Sequence, residues 1–250
     1  MSNKRPRAPV DNPFPSRAED VLNKGLRAGI GALPVMGSTL TELLAFVVGD
    51  PAMERRDDFM KATLERVLEL ESEFDELDKE TLRNNEQFQA TFIQATRLST
   101  QAASEEKRTL LQYAILNSAI LDIEENQRQI LMQFLERITP LHAAVLNVLD
   151  NPPANPDVQR MLNVSMGGLN LVIEAAIPDL RGNRAIAERI VADLEAMGLL
   201  SGASLHVTMS GSGLMAQRST PLGRLFLKFI SAPRLLTTER DLPVRQMVLS

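Results

Sequence analysis

The sequence predicts a mainly α-helical protein, with an N-terminal multi-helix bundle followed by a small α+β domain. Three observations predict it. Leu, Ala, Met, Glu, Gln and Arg, the strong helix formers, dominate the composition, while aromatic residues make up only 4%. Between Pro51 and Leu149 the apolar residues recur at spacings of three and four, the period of an amphipathic helix. After Asp150-Asn151-Pro152-Pro153 that pattern gives way to shorter segments, two of them with the alternation of strands. At 250 residues the chain is ample for a hydrophobic core.

Composition also removes several function classes. A net charge of −5 and a pI near 5.3 argue against general attraction to nucleic acid or anionic lipid. The chain has no cysteine, which removes disulfides, thiolate zinc sites, iron–sulfur clusters and thiol catalysis together. Only His142 and His206 are available for imidazole chemistry. The absence of cysteine fits a reducing compartment, and the localisation expected is cytoplasmic with possible membrane association.

Residues 1–16 hold four prolines and little hydrophobic periodicity, and read as a flexible basic arm. Arg17–Ala32 reads as the first helix, capped by Ser16 with Glu19 completing a capping-box pattern. It runs into Ala28–Gly49, the longest nearly uncharged run, in which Glu42 is the one ionised side chain. Pro34 and Gly37 divide the run into two helical halves, so an apolar helical hairpin is expected over 28–49. Its length suits a membrane span, but Pro34, the glycines and Glu42 favour burial in protein. Leu40, Leu43, Leu44, Phe46 and Val47 are its candidate membrane- or partner-binding residues.

Pro51 suits the first turn of a new helix, expected to reach Leu77 with a turn near Asp75–Lys79. The next helix carries Leu82, Phe88, Phe92, Ala95, Leu98 and Ser99, and Asn84-Asn85-Glu86 interrupts it as a solvated turn or a hydrogen-bonded cluster. Ser104 with Lys107 opens another helix, in which Asn117 and Ser118 fall among apolar positions and should bond to neighbouring helices. Glu124–Ile138 follows, and Thr139-Pro140 starts a short helix over His142–Leu149. Together 17–151 form the bundle.

Beyond the proline cluster, Asp157–Val164 and Met166–Ala176 read as short helices. Asn183 caps a third, Arg184–Met197, whose apolar stripe is Ile186, Ile190, Leu194 and Met197. Ser204–Met209 and Leu214–Gln217 read as a hairpin turning at Ser210-Gly211-Ser212-Gly213, before a last helix at Leu222–Ile230. Residues 234–250 form a C-terminal tail.

Three helices, then Gly198-Leu199, a hairpin, and Thr220–Gly223 leading into a final helix: this order resembles a winged-helix domain over 152–233. The resemblance implies that Arg184–Met197 is the recognition helix and that Arg184 and Arg189 are its candidate recognition residues. In DNA-binding members that helix is basic. Here Glu188, Asp193 and Glu195 offset the two arginines, and the expected wing has no Lys or Arg before Arg218. A protein partner fits this charge pattern better than phosphate does. Asn85–Phe88, Glu106-Lys107 and Ile138-Thr139-Pro140 give the first part a resemblance to a group of bacterial helical proteins with no family function to carry over. The apolar hairpin beside a bundle resembles cell-death and antiphage effectors that expose such helices.

No catalytic motif emerges. There is no Walker A loop, and Gly29, Gly31 and Gly37 do not make a dinucleotide fingerprint. Ser212 lacks the strand–elbow–helix setting of a hydrolase nucleophile, and neither histidine has a zincin-type partner. The expectation is therefore not an enzyme, with no cofactor, no metal and no small-molecule substrate. The leading class is a self-associating protein–protein interaction or scaffold protein, whose partner is a protein or a second copy. A conditional membrane-acting effector, with the membrane as its target, is the alternative. A winged-helix DNA-binding regulator comes third, nucleic acid being disfavoured by charge.

Overall fold

The computed structural model describes residues 51–160 and 165–233. The chain divides into two units, residues 1–60 and 61–250. Of the first, residues 51–60 are described, the first half of helix α1 (Pro51–Leu70). The expected basic arm, first two helices, apolar hairpin and C-terminal tail lie outside the described residues.

Helix α1 stops at Leu70, short of the expected Leu77. The reason is electrostatic. Glu69, Glu71, Glu73, Asp75 and Glu76 crowd this stretch, setting like charges four apart, and the last turn holds no cation to offset the helix dipole. The chain turns instead, with the Leu70 carbonyl accepting from both Glu73 N–H and Phe74 N–H. A single 3-10 turn at Asp75–Leu77 then plants Leu77 fully inside.

The remaining helices of the first part are α2 (Lys79–Asn84), α3 (Glu86–Gln101), α4 (Glu105–Ile120), α5 (Glu125–Arg137) and α6 (Pro140–Asp150). Short polar side chains set their starts. Asp78 accepts from the backbone of Glu80 and Thr81, Asn85 Oδ1 from Phe88 N–H at 2.9 Å, and Ser104 Oγ from Lys107 N–H at 3.2 Å. Asn84-Asn85-Glu86 is thus the junction of two helices, and Asn85 is a cap.

Beyond α6 come α7 (Pro156–Gln159), β1 (Met166–Gly168), α8 (Leu169–Ala176), α9 (Arg184–Ala196), β2 (Thr208–Ser210), α10 (Gly211–Leu214) and α11 (Pro221–Phe229). The described residues are mainly α-helical, with one two-stranded antiparallel sheet in which Met166 faces Ser210 and Gly168 faces Thr208. Two expectations are corrected here. Met166–Ala176 is not one helix, because Gly167 and Gly168 favour the extended backbone that pairs with β2. Ser204–Met209 and Leu214–Gln217 do not form a hairpin. Ser210 Oγ accepts from Gly213 N–H at 3.2 Å and winds the serine–glycine turn into α10, so the strand residues 208–210 find their partner in β1.

The core runs through both parts. Leu111, Ile115, Leu116, Leu131, Met132, Leu135, Leu146 and Leu149 are fully buried, each contributing about 1.5–3 kcal/mol by leaving water. Phe226 and Phe229 of α11 are equally buried. Helix α11 packs on α4 and α6, and Phe134 of α5 meets Phe226 edge-to-face at 5.8 Å. The proline cluster at 150–153 lies inside the unit 61–250.

Asn117 closes this arrangement. Its side chain is buried in α4, and its Nδ2 donates toward the carbonyls of Lys228 (2.9 Å), Phe229 (3.0 Å) and Ser231 (2.7 Å). The first two belong to the last residues of α11 and the third to Ser231 just beyond it, where a helix end is short of donors. The buried amide that the sequence places among apolar positions thus bonds to a neighbouring helix, while Ser118 Oγ donates to Ile115 O within α4. Replacing Asn117 with Ala removes this shared donor from the end of α11. Urea unfolding should register a loss of about 2 kcal/mol with an unchanged slope.

Candidate interaction surface

Helix α9 buries Ala187, Ile190, Val191 and Leu194 and turns its charged face outward. Ile186, expected in the inward stripe, is 50% exposed. Its spacing from Ile190 and Leu194 puts it on their face, but burial also needs a covering neighbour, which the first turn lacks. Met197, also expected inward, is only half-buried.

The two candidate recognition arginines are both engaged within the chain. Arg184 Nε donates to Glu188 at 2.7 Å, and its Nη2 donates to Leu205 O at 3.2 Å and lies 3.3 Å from His206 Nδ1. Arg189 grips both oxygens of Asp193, at 2.9 and 2.7 Å. Burial works to raise the Asp193 pKa. The hydrogen bond and charge of Arg189, helped by His142, outweigh that and hold it below its ordinary value. Each of these surface pairs adds little stability. Their effect is on potential, since each guanidinium is matched by a carboxylate four residues on.

The segments that neighbour α9 carry exposed apolar side chains. The Arg184–Leu205 bond sets the start of α9 beside 205–207, where Val207 is 52% exposed. The β1–β2 pairing brings in Met166, 66% exposed, and α8, which packs on α9, carries exposed Leu171. His206 is exposed and sits just before β2.

The two motifs that carry the winged-helix resemblance touch each other. Gly198 ends α9 in the left-handed region (φ 70°), where a glycine is favoured. Thr220 N–H donates to Leu199 O at 3.0 Å, its Oγ1 donates to Gly198 O at 2.6 Å, and the same Oγ1 accepts from Gly223 N–H at 2.9 Å. Gly223 lies so close to Leu199 that an added Cβ would sit 2.1 Å from the Leu199 carbonyl oxygen. A bridge between Leu200 and Ser219 closes the loop between them. Inside it, Arg218 donates to Gly202 O (2.7 Å) and Gly213 O (2.8 Å) and reaches Met209 Sδ at 3.0 Å. Ser219 Oγ and Gln217 Nε2 both donate to Asp150 Oδ1, tying the loop base to the end of α6. Sequence reasoning missed these roles of Arg218 and Asp150, because contacts 16 and 69 residues apart leave no local signal.

Elsewhere, an open groove of about 720 Å³ lies between the α2–α3 junction and the end of α4. Its two asparagines are already committed to backbone, Asn85 as the α3 cap and Asn84 Nδ2 to Glu80 O at 3.0 Å. Among the described residues no cluster of His, Asp or Glu could hold a metal ion, and no helix is long and apolar enough to cross a membrane. Leu40, Leu43, Leu44, Phe46 and Val47 lie outside the described residues. No family model, curated protein or solved structure matches the chain.

The Gly223–Leu199 approach yields a sharp test of this region. Gly223→Ala should cost about 3 kcal/mol, because the obstructing atom is backbone and cannot swing aside. Thermal unfolding followed by circular dichroism reads the loss.

Proposed function

We propose that this chain is a self-associating protein–protein interaction or scaffold protein without enzymatic activity. In this reading 152–233 is a winged-helix-like module that turns α9 toward protein rather than nucleic acid. One observation carries it: both α9 arginines are matched by carboxylates on their own helix, while Ile186 of the same helix and Val207, Met166 and Leu171 of neighbouring segments are exposed. A phosphate backbone needs unneutralised cations. A protein partner is suited by exposed apolar side chains rimmed by paired charges. The winged-helix-like reading is supported by the order β1, α8, α9 and α11, and by the contact of Gly198-Leu199 with Thr220–Gly223.

Sedimentation velocity of the full chain tests the proposal. The wild type should sediment faster as concentration rises, and Ile186→Glu with Val207→Glu should return it to a monomer of unchanged helix content. A wild type that stays monomeric and binds duplex DNA in a salt-dependent way, with binding lost on Arg184→Glu and Arg189→Glu, would replace this reading with a regulator.

A further inference from the structure

The corner between α5 and α6 meets side chains from two other helices, α4 and α9. Lys107, in the first turn of α4, donates its ammonium to the carbonyls of Leu135 and Ile138, which end α5. Burial pulls the Lys107 pKa down to about 8 against the opposing pull of Glu136. At neutral pH the group therefore remains mostly charged, and the two carbonyls accept from it.

Thr139 then caps α6. Its backbone N–H donates to His142 Nδ1 at 3.3 Å, and its Oγ1 lies 2.8 Å from the same nitrogen. A backbone N–H can only donate, so Nδ1 is bare and the ring proton sits on Nε2. That Nε2 faces Asp193 of α9 at 3.6 Å, within ion-pair range but beyond a hydrogen bond. The ring is only 12% exposed. Its charged neighbours are Lys107 from α4, with Glu136 beside it at the end of α5, and Asp193 and Arg189 from α9. Helices α8 and α11 also pack on α6, and none of their charged residues, Glu174, Arg224 and Lys228, bonds to the ring.

We propose that His142 is a proton-sensitive latch between the α5–α6 corner and α9. The neutral ring caps α6 through Nδ1. A proton on Nδ1 removes that acceptor and releases the Thr139 N–H, leaves Nδ1–H to donate to Thr139 Oγ1, and gives the ring a charge that pairs through Nε2 with Asp193, where it competes with Arg189 for the carboxylate. Acid thus exchanges a helix cap for a contact to α9.

The stability consequence has a definite sign. Burial, with Lys107 and Arg189 acting the same way, lowers the His142 pKa against the pull of Asp193. Above about pH 6.5 both folded and unfolded chains hold a neutral ring, and the cap contributes fully. Below that the unfolded chain takes up its proton first, so the contribution is lost as pH falls through the folded value.

The test is NMR of the full chain labelled at histidine and threonine, titrated from about pH 7.5 to about pH 5. The His142 ring should titrate below its ordinary value, and the Thr139 amide resonance should move with the same midpoint. Asp193→Asn should lower that midpoint further. His142→Gln keeps an acceptor at the third helical position, so it should leave the Thr139 amide flat with pH. A Thr139 amide that ignores the ring titration overturns the latch, as does a His142 ring that stays untitrated until the chain unfolds. Both readouts come from the wild type and stand even where a variant fails to fold.

Discussion

The end of α11 is where this fold is closed. A helix terminus leaves its last carbonyls without donors, and burying them unpaired is costly. Asn117 of α4 supplies one amide to three of those carbonyls across more than a hundred residues of chain. That bond lets Phe226 and Phe229 enter the core complete, with Phe134 edge-on to Phe226. The Gly198-Leu199 and Thr220–Gly223 contact, the loop of 200–219, and the placement of α9 all depend on α11 being seated there.

The polar side chains of the described region are mostly spent on this closure. Asn84, Asn85 and Ser104 bond to helix ends, Lys107 closes α5, and Arg218 and Asp150 tie a loop to α6. The proposed interaction reading follows from what is left outward once those groups are committed. What remains is a helix face whose charges cancel locally, with exposed aliphatic side chains beside it.

Sequence and structure agree where the physics is local. Thr139-Pro140, Ser104–Lys107 and Thr220-Pro221 mark helix starts that the structure has, because a cap and its helix lie within a few residues. They part where a distant partner decides. Met166–Gly168 carries an apolar–glycine pattern that spacing alone assigns to a helix, yet β2 claims it as a strand. Ile186 has core spacing but no covering neighbour, and Ser210–Gly213 has hairpin composition but a capped helical turn. The surface around α9 was legible in its charges, Arg184 against Glu188 and Arg189 against Asp193, and illegible in its apolar members.

The sequence by itself determined the helical class and helix starts such as Ser104, Thr139 and Thr220, since helix propensity, dipole and capping act over one or two turns. It also placed a carboxylate four residues on from each α9 arginine, which the structure pairs with it. Only the tertiary structure decided that α11 packs back on α4 and α6, and that Gly223 must be glycine. It alone decided, too, that His142 looks from one helix cap to a carboxylate on another helix. Each of these rests on an approach between residues far apart in the chain, and such an approach is set by how whole faces pack, which no local pattern records.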